Sequence, residues 1–447
     1  MNKIIYINKK INNFKKKITV EGDKSISIRC ILLASIAVGT SRISNLLESK
    51  DVTAGLKAIT KFGINYKKKK NVYEIKGFGL NGYNTKRKLT INAGNSATVA
   101  RLLCGLVSRT ENKIKIIGDR SLSKRDFSRV IEPLKKFGVN FYPKNKRTLP
   151  LYIQGTDFLR PIKYYESKGS AQVKSCVMLA ALNTPGTTKI VAKKSRTHTE
   201  ILFKYLKIPI KIKKTKKFDH IEIKGKQNFK AFDYKISGDI SSASFLIVLT
   251  LLSKKSQLTI KDLNVNSSRI GIISILNMMG ASIKLKKVRA YKGEKIADIF
   301  IKSMNNLKAI NLPKSFNNSS AIDEFVLIFI CAAFSKGIST FRDLEELNKK
   351  ESKRLDWGYK ILKMIGIKTE KIGNHGIKIW GNPNLELKKN YVIKNYLKDH
   401  RIAMSTAVLG LARGGSWKIY ESDSIKTSFP SFLKLIRKLG GKFRYEI

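Results

Sequence analysis

Two kinds of helix-forming stretch alternate along the chain. Stretches of the first kind are apolar on nearly every side, which is typical of helices buried on all sides. Those of the second kind are amphipathic and end at an apolar residue followed by Gly, the usual left-handed C-cap. Strand-like segments follow, and residues 282–286 alternate most clearly between polar and apolar positions. The apolar stretches are Ile31–Val38, Ala171–Leu182, Ser244–Leu252 and Phe325–Phe334.

The helices recur in a weak repeat that opens with small polar residues, often preceded by Gly. The amphipathic helices also end alike, at Phe62-Gly63, Phe137-Gly138, Met279-Gly280, Ile365-Gly366 and Leu439-Gly440, whereas the third copy has Ile208-Pro209. The openings are GDKSIS from Gly22, AGNSAT from Ala93, GSAQ from Gly169, GDISSAS from Gly238, IDEF from Ile322 and DHRIAM from Asp399.

Six repeats predict a mixed α/β (α+β) fold of two similar domains, with buried helices inside and sheets outside. We expect the first strand, near Ile4–Ile7, to belong with the second half of the chain. Residues 1–20 and 238–447 would then form a discontinuous domain of three repeats. Residues 21–237 would form an inserted domain with the other three.

The net charge is extreme. The 447 residues include 89 Lys and Arg against 32 Asp and Glu, a formal charge of +57. Such a charge fits nucleic acid or anionic substrates steered to a positive cleft. However, the Lys residues are spread over the whole chain, as in 67–70 and 211–217, and form no separate basic tail. This distribution favours compositional drift for most of the charge.

Cysteine usage and hydropathy favour a cytoplasmic protein. Cys30, Cys104, Cys176 and Cys331 are far apart in apolar stretches and have no metal-ligand spacing, which indicates buried thiols in a reducing compartment. Apolar runs such as 325–334 are too short to span a bilayer. The N-terminal segment is basic but lacks the hydrophobic stretch of a signal peptide.

The openings of the apolar helices are the best candidates for chemistry. Backbone N–H groups and the helix dipole at a helix start favour phosphate or carboxylate, although plain N-capping is the alternative. Basic residues close to these openings exceed what capping needs. They are Lys24, Arg29, Arg101, Lys174 and Arg401.

Two further segments are rich in charge, GDRSLSKR (118–125) and LEELNKKESKRL (344–355). The spacing of four predicts that Lys350 and Arg354 share a helical face with Glu351 beside it, although a solvated surface helix has the same pattern. The pair Asp323-Glu324 enters an almost wholly apolar helix. A carboxylate there is either a cap or a catalytic group, and the sequence leaves both open.

At these residues the chain resembles 5-enolpyruvylshikimate-3-phosphate (EPSP) synthase, also called 3-phosphoshikimate 1-carboxyvinyltransferase. The resemblance runs from about residue 18 to residue 445. The SAQVKS and LNTPGTT stretches, together with Ala97, resemble the divergent bacterial subgroup that is often tolerant of glyphosate. The motifs are GDKSISIR, AGNSATVARLL, GDRSLSKR, GSAQVKSCVMLAALNTPGTT, SRTHTE, GDISSASF, IDEFVLIFICAAF, LEELNKKESKRL, DHRIAMS and TSFP.

The resemblance implies the enolpyruvyl transferase fold, with three βαβαββ units in each domain and substrates bound in the cleft between the domains. It also implies transfer of the enolpyruvyl group of phosphoenolpyruvate to the 5-hydroxyl of shikimate 3-phosphate, in the shikimate pathway to chorismate and aromatic amino acids. No metal, organic cofactor, membrane or specific nucleic acid is implied, and we expect a monomer.

Site residues follow from the same motifs. The implied catalytic residues are Lys24, Asp323 and Glu351, with Asp323 handling the 5-hydroxyl proton. The implied phosphoenolpyruvate ligands are Lys24, Asn95, Arg125, Gln172, Arg354 and Arg401. The implied shikimate 3-phosphate ligands are Ser25, Arg29, Ser170, Gln172, Arg196, Asp323 and Lys350.

Four positions depart from the family pattern. Asp126 replaces the usual Pro, from which we expect a less rigid loop around Arg125. Asn348 replaces a usual Arg, and Thr427 stands where many relatives carry a Lys. Lys353 replaces the usual Asp, and we expect this charge reversal to weaken the ion pairing that orients Arg354.

Three alternatives compete with this resemblance. UDP-N-acetylglucosamine enolpyruvyl transferase shares the fold, but it usually has Lys-Asn where this chain has Lys24-Ser25, and segment 118–125 lacks the usual loop Cys. RNA 3′-terminal phosphate cyclase is more distant, without an evident catalytic His context here. A basic nucleic-acid-binding protein on the same fold would explain the charge, but no RNA-binding motif with interleaved aromatics is present.

Overall fold

The computed structural model describes residues 3–85 and 88–446. Helices and strands are mixed along this part of the chain. The helices are α1 (Lys24–Ser35), α2 (Lys50–Lys61), α3 (Ala97–Leu106), α4 (Ser128–Phe137), α5 (Ala171–Asn183), α6 (His198–Tyr205), α7 (Ile240–Leu252), α8 (Gly271–Met278), α9 (Phe325–Ala333), α10 (Arg354–Met364), α11 (His400–Arg413) and α12 (Phe432–Lys438).

The strands are short. They are β1 (Ile4–Ile7), β2 (Lys15–Thr19), β3 (Val38–Ser44), β4 (Tyr66–Lys69), β5 (Val72–Phe78), β6 (Leu89–Asn92), β7 (Ile114–Ile117), β8 (Asn140–Tyr142), β9 (Leu151–Gln154), β10 (Lys163–Glu166), β11 (Thr187–Lys193), β12 (Ile210–Lys214), β13 (Phe218–Lys224), β14 (Asp233–Lys235), β15 (Gln257–Asn264), β16 (Ile283–Tyr291), β17 (Glu294–Lys302), β18 (Leu307–Lys308), β19 (Ser335–Phe341), β20 (Thr369–Ile372), β21 (Gly376–Gly381), β22 (Leu387–Ile393), β23 (Gly414–Ile419) and β24 (Arg444–Glu446).

The described strands form open four-stranded sheets of one recurring pattern. In the sheet β6-β7-β9-β8, the first pair is parallel and the other two pairs are antiparallel. Helix α3 connects β6 to β7 and α4 connects β7 to β8, so each repeat is a βαβαββ unit. The other sheets are β14-β3-β5-β4, β10-β11-β13-β12, β16-β17-β15-β2, β18-β19-β21-β20 and β22-β23-β1-β24.

The chain divides into two compact units. The discontinuous unit contains residues 1–21, 237–289 and 295–447, and the inserted unit contains 22–236 and 290–294. Residues 1, 2, 86, 87 and 447 lie outside the described part of these units. Strand β1 pairs with β23 and β24, which confirms that the first strand belongs with the second half of the chain.

The segment 290–294 corrects the predicted division, which placed it in the discontinuous domain. Within the inserted unit, the Tyr291 hydroxyl accepts a hydrogen bond from the backbone N–H of Lys235 at 3.0 Å. The Tyr291 ring meets that of Tyr234 edge-on, and the Glu294 carboxylate lies 2.6 Å from His198 Nδ1. These contacts join residues far apart in sequence, so no local pattern marks them.

The apolar helices form the cores, as predicted. All residues of α7 and of α9 are buried in the discontinuous unit. Helices α1, α3 and α5 contribute their apolar residues to the core of the inserted unit. The predicted stretch 31–38 is too long, however, because the backbone leaves the helix at Ile36 and Val38 pairs with Phe78 of β5.

The helix ends also follow the sequence. Gly63, Gly138, Gly280, Gly366 and Gly440 all have positive φ angles, between +83° and +105°, as the C-cap pattern predicts. In the third copy, Lys207 takes the left-handed conformation with φ +56° just before Ile208-Pro209.

Candidate active site

Arg354 is the centre of a charged cluster in the discontinuous unit. Its side chain is 2% exposed, and its Nε donates to Asp399 Oδ2 at 2.8 Å. Its other two nitrogens pair with Asp323 Oδ1 at 3.0 Å and with Glu351. Lys350 Nζ also lies 3.1 Å from Asp323 Oδ1. We call these five residues the Arg354 cluster.

The partners in this cluster keep each other charged. Burial alone would raise the pKa of the Asp399 carboxyl, but the Arg354 guanidinium outweighs it and lowers that pKa below its ordinary value. Burial alone would lower the pKa of Arg354, and the carboxylates of Asp399, Glu351 and Asp323 raise it instead. Asp399 also caps α11, since its Oδ1 accepts from the backbone N–H of Arg401 at 3.0 Å.

Arg401 is fixed beside this cluster. Its guanidinium donates to the backbone carbonyl of Asp323 at 2.9 Å and to Ser241 Oγ at 2.7 Å. It also lies 3.4 Å from Glu324 Oε1, which accepts from Ser241 as well. Neither acidic side chain caps α9. Asp323 anchors Lys350 and Arg354, whereas Glu324 anchors Arg401.

The predicted shared helical face of Lys350 and Arg354 is wrong. A 3-10 helix covers Glu345–Lys349, and Lys350 is extended, with φ −89° and ψ −158°. Helix α10 begins only at Arg354, where Asn348 Oδ1 accepts from the backbone N–H of Leu355 at 3.0 Å. The two cations nevertheless converge on Asp323, because the chain folds back between the two helices.

Two family departures have defined consequences here. Lys353 is exposed, and Arg354 pairs with the carboxylates of Asp323, Glu351 and Asp399. Thr427 contributes a hydroxyl that donates to the Ser424 carbonyl at 2.7 Å and lies 3.3 Å from His400 Nδ1.

Lys24 opens the first helix of the inserted unit. The N-cap of α1 is Asp23, whose Oδ1 accepts from the backbone N–H of Ile26 at 2.9 Å. Lys24 Nζ lies 3.0 Å from Asp51 Oδ2, and its side chain is 20% exposed. This places a solvent-accessible ammonium group on the first turn of a buried helix.

Arg29 lies one turn further along α1 and is held on three sides. Its Nε donates to Thr199 Oγ1 at 2.7 Å, and its two terminal nitrogens donate to Ser175 Oγ at 2.8 Å and to the Ser25 carbonyl at 3.0 Å. Helices α1, α5 and α6 therefore fix the guanidinium together.

Gln172 is oriented by Arg101. The Arg101 guanidinium donates to Gln172 Oε1 at 2.6 Å, and Gln172 Nε2 donates to Thr98 Oγ1 at 3.0 Å. Arg101 also donates to the Asp126 carbonyl at 2.9 Å. Asp126 Oδ1 accepts from the backbone N–H of Ser128 at 2.8 Å. In the loop that carries Arg125, Asp126 therefore bonds to both Arg101 and Ser128.

The remaining predicted residues lie at helix starts or in loops of the inserted unit. Asn95 Nδ2 donates to Asp119 Oδ2 at 2.7 Å just before α3. Ser170 caps α5, accepting from the backbone N–H of Val173 at 3.4 Å. Arg196 lies between β11 and α6 and is partly exposed.

Sequence reasoning named Asp323 and Glu351 but missed three other acidic residues that bond to site side chains. Asp399 marks a repeat opening, Asp51 lies in an amphipathic helix and Asp119 lies in the GDRSLSKR motif, but nothing in their spacing links them to Arg354, Lys24 or Asn95. Among the described residues, no group of three or more His, Cys, Asp and Glu side chains could hold a metal ion. The described helices include none with the length and hydropathy of a membrane span.

Known proteins match this chain over nearly its whole length. A family model for EPSP synthase (3-phosphoshikimate 1-carboxyvinyltransferase) matches residues 8–436. The 3-phosphoshikimate 1-carboxyvinyltransferase of Ruthia magnifica subsp. Calyptogena magnifica is 39% identical over 437 residues, which cover 97% of this chain and 98% of that protein. The 3-phosphoshikimate 1-carboxyvinyltransferase of Zymomonas mobilis is 36% identical over 441 residues, which cover 98% of this chain and 96% of that protein.

Solved structures agree. EPSP synthase from Acinetobacter baumannii covers 100% of both chains with a TM-score of 0.85 and 32% identity. The enolpyruvyl transferase NikO from Streptomyces tendae shares the fold, with a TM-score of 0.74, 13% identity and 99% of both chains covered. The chain therefore belongs to the EPSP synthase family.

Proposed function

We propose that residues of both units carry out the reaction of this EPSP synthase family member, as expected from its motifs. The enzyme transfers the enolpyruvyl group of phosphoenolpyruvate to the 5-hydroxyl of shikimate 3-phosphate and releases phosphate. This step belongs to the shikimate pathway to chorismate and the aromatic amino acids. The observation that supports the residue assignment best is the Arg354 cluster, in which three carboxylates hold Arg354 at the start of α10 and one of them, Asp323, also holds Lys350.

For phosphoenolpyruvate, the proposed ligands are mostly cations. A guanidinium presents a planar fork to carboxylate or phosphate, and a lysine supplies a compact charge. Arg354 and Arg401 are pre-oriented by fixed partners, so little side-chain entropy is lost on binding. The proposed ligands are Lys24, Asn95, Arg125, Gln172, Arg354 and Arg401.

For shikimate 3-phosphate, Arg29 is the proposed anchor because three helices hold its guanidinium. Ser25 and Ser170 stand at helix starts, where backbone N–H groups and the dipole favour phosphate. The proposed ligands are Ser25, Arg29, Ser170, Gln172, Arg196, Asp323 and Lys350.

Asp323 is the proposed base for the 5-hydroxyl. Its ion pairs with Lys350 and Arg354 favour the carboxylate form, which is the form able to accept a proton. As the substrate oxygen adds to C2 of phosphoenolpyruvate, C3 gains a proton and a tetrahedral intermediate forms. Expulsion of phosphate from C2 of this intermediate, with loss of a proton from C3, restores the double bond. Lys24 and Glu351 are the proposed groups for proton transfer at C3 and for assisting phosphate departure.

The test measures phosphate release from phosphoenolpyruvate with shikimate 3-phosphate, with UDP-N-acetylglucosamine, or without an acceptor. Release should require shikimate 3-phosphate. Lys24→Ala should lower the rate by about 100-fold or more, the size expected when a group that stabilises transition-state charge is lost. Lys67→Ala is the matched control, because Lys67 lies on the exposed strand β4. Nearly full activity in Asp323→Ala would remove Asp323 as the base, and release only with UDP-N-acetylglucosamine would overturn the acceptor.

We also propose glyphosate tolerance, which is supported by Ala97. Ala97 is the first residue of α3 and is 4% exposed. The methyl group of Ala97, which a Gly at this position would lack, would crowd an inhibitor longer than phosphoenolpyruvate. Ala97→Gly should therefore lower the inhibition constant for glyphosate by about tenfold, the worth of one methyl group in a tight pocket. An unchanged inhibition constant would refute this.

Finally, we propose that the chain acts as a cytoplasmic monomer without a specific nucleic-acid partner. The four cysteines are free and buried, as suits a reducing compartment. One chain supplies every proposed substrate ligand. Sedimentation equilibrium should give one mass at all protein concentrations, and binding to nucleic acid should disappear steeply with salt. A tight complex at physiological salt would contradict the proposal.

A further inference from the structure

A buried ion pair joins α5 and α6 of the inserted unit. Lys174 lies in the first turn of α5 and Glu200 lies in the first turn of α6. Lys174 Nζ is 2.5 Å from Glu200 Oε1, and the two side chains are 0% and 4% exposed. Neither residue is among the substrate ligands proposed above.

Such a pair is poorly explained by stability alone. Removing two charges from water is expensive, and apolar residues of similar volume often replace a buried pair without loss of stability. The rest of α5 is mostly apolar, so an apolar pair would fit its surroundings. Some other role is therefore expected of these charges.

The neighbours of the pair connect it to Arg29. Ser175 follows Lys174 and Thr199 precedes Glu200 in the chain, and their hydroxyls lie 2.7 Å apart. Both accept hydrogen bonds from the Arg29 guanidinium, at 2.8 Å and 2.7 Å. The ion pair thus fixes α5 and α6 at the level where both helices hold Arg29.

Lys174 also acts on a second carboxylate. Glu166 is 3% exposed, and it accepts from the backbone N–H groups of Lys168 at 3.1 Å and Gly169 at 2.8 Å. Burial raises the pKa of Glu166, while these N–H groups and the Lys174 ammonium oppose that rise. Glu166 therefore shapes the loop that leads into Ser170, the N-cap of α5.

We propose that Lys174 is a positioning residue for shikimate 3-phosphate. Through Glu200 it aligns α5 with α6, and so positions Arg29 together with Ser170 and Gln172 at the start of α5. This inference rests on the proposed roles of Arg29, Ser170 and Gln172. Phosphoenolpyruvate has other proposed ligands as well, so a shift of α5 should affect shikimate 3-phosphate first.

The experiment compares KM for each substrate, kcat, and calorimetric binding of shikimate 3-phosphate alone. Lys174→Met/Glu200→Met replaces the pair with apolar side chains, so the buried charges go together and the fold should persist. Its KM for shikimate 3-phosphate should rise about tenfold while its melting temperature stays near wild type, since small misplacements at a site are costly in binding. KM for phosphoenolpyruvate should change much less.

Glu200→Gln provides the second measurement, because it keeps the side-chain shape and an acceptor for Lys174 while removing only the carboxylate charge. It should also raise KM for shikimate 3-phosphate. The exposed Lys189–Glu222 pair, at 3.2 Å, gives the matched control Lys189→Gln/Glu222→Gln, which should leave every constant unchanged. Wild-type affinity for shikimate 3-phosphate in Glu200→Gln or in the folded double variant would overturn the proposal. Unchanged affinity in Arg29→Met would instead overturn the proposed role of Arg29.

Discussion

Replacing Asp399 with Asn would remove one charge from the Arg354 cluster while keeping the cap of α11. The Asn side-chain oxygen can still accept from the backbone N–H of Arg401, as Asp399 Oδ1 does at 3.0 Å. Its amide nitrogen, however, would take the place of Oδ2. That atom now accepts from Arg354 Nε at 2.8 Å and from Ser352 Oγ at 2.9 Å. Donors would then face donors in a buried site.

The expected cost is about 3 kcal/mol of unfolding free energy. Breaking a buried ion pair by removing one partner costs about 3–5 kcal/mol. The low end applies because Arg354 keeps Asp323 and Glu351. Asp399→Ala should cost about 1 kcal/mol more, because the helix cap is lost as well.

Tryptophan fluorescence during urea unfolding isolates the affected unit. The three tryptophans of the chain, Trp357, Trp380 and Trp417, all lie in the discontinuous unit. This matters because a chain of two units need not unfold in one step. With a slope of about 2–3 kcal/mol per molar urea, the loss should lower the midpoint by roughly 1 M.

The dependence on pH gives a second check. The folded pKa of Asp399 lies below its ordinary 3.8, so the stabilisation by its charge is present above about pH 4 and is lost as pH falls through the folded pKa. The difference between wild type and Asp399→Asn should therefore be constant from about pH 5 to 8 and shrink only in acid. Glu370→Gln is the control, because Glu370 pairs with Lys378 at the surface and such pairs contribute about 0–1 kcal/mol. Equal midpoints for Asp399→Asn and wild type at pH 7 would refute the reasoning.

Three further predictions concern packing, thiols and anions. Gly105→Ala should destabilise the inserted unit by about 1–3 kcal/mol in thermal unfolding, because the new Cβ would lie 2.2 Å from the Cys176 carbonyl oxygen. A melting temperature equal to that of the wild type would contradict this prediction. Burial raises the pKa of Cys104 to about 12 and also raises the pKa of the other three cysteines. Ellman's reagent at pH 8 should therefore label the folded protein far more slowly than the unfolded protein. Equal labelling rates would show that the thiols are accessible in the folded protein. Inorganic phosphate should raise the melting temperature above its value in chloride of equal ionic strength. Arg401→Met should reduce this rise in melting temperature. No rise in the wild-type protein would argue against anion sites.

The sequence predicted the architecture well because the signals for it are local. Apolar helices, amphipathic helices and the Gly residues after Phe62, Phe137, Met279 and Ile365 repeat within short windows. Each window determines a helix and its end without reference to the rest of the chain. The repeat count also placed Ile4–Ile7 with the second half of the chain, where this strand pairs with β23.

Contacts between distant residues could not be predicted in this way. Arg354 and Asp399 are 45 positions apart, and neither residue type at its position indicates the other. The break between Lys350 and Arg354 lies within a motif that has helical spacing, and Asn348 Oδ1 accepts from the backbone N–H of Leu355 where α10 begins. The sequence therefore named Asp323 and Glu351 at the site, but not Asp399 as the third carboxylate partner of Arg354.

The position of the lysines in the sheets has a consequence for how the protein behaves in concentrated solution. Every four-stranded sheet described above is open, and an open edge presents unpaired N–H and C=O groups that another chain can join. Four of these edge strands carry three or more cations and no acidic residue; they are β2, β4, β12 and β16.

Like charges on facing edges would oppose such pairing, so part of the charge of +57 acts as protection against aggregation. This protection depends on ionic strength, because the screening length falls to about 3 Å in 1 M salt. Association between copies through their sheet edges is therefore expected to begin at high salt, a condition in which many proteins with fewer charges remain dispersed.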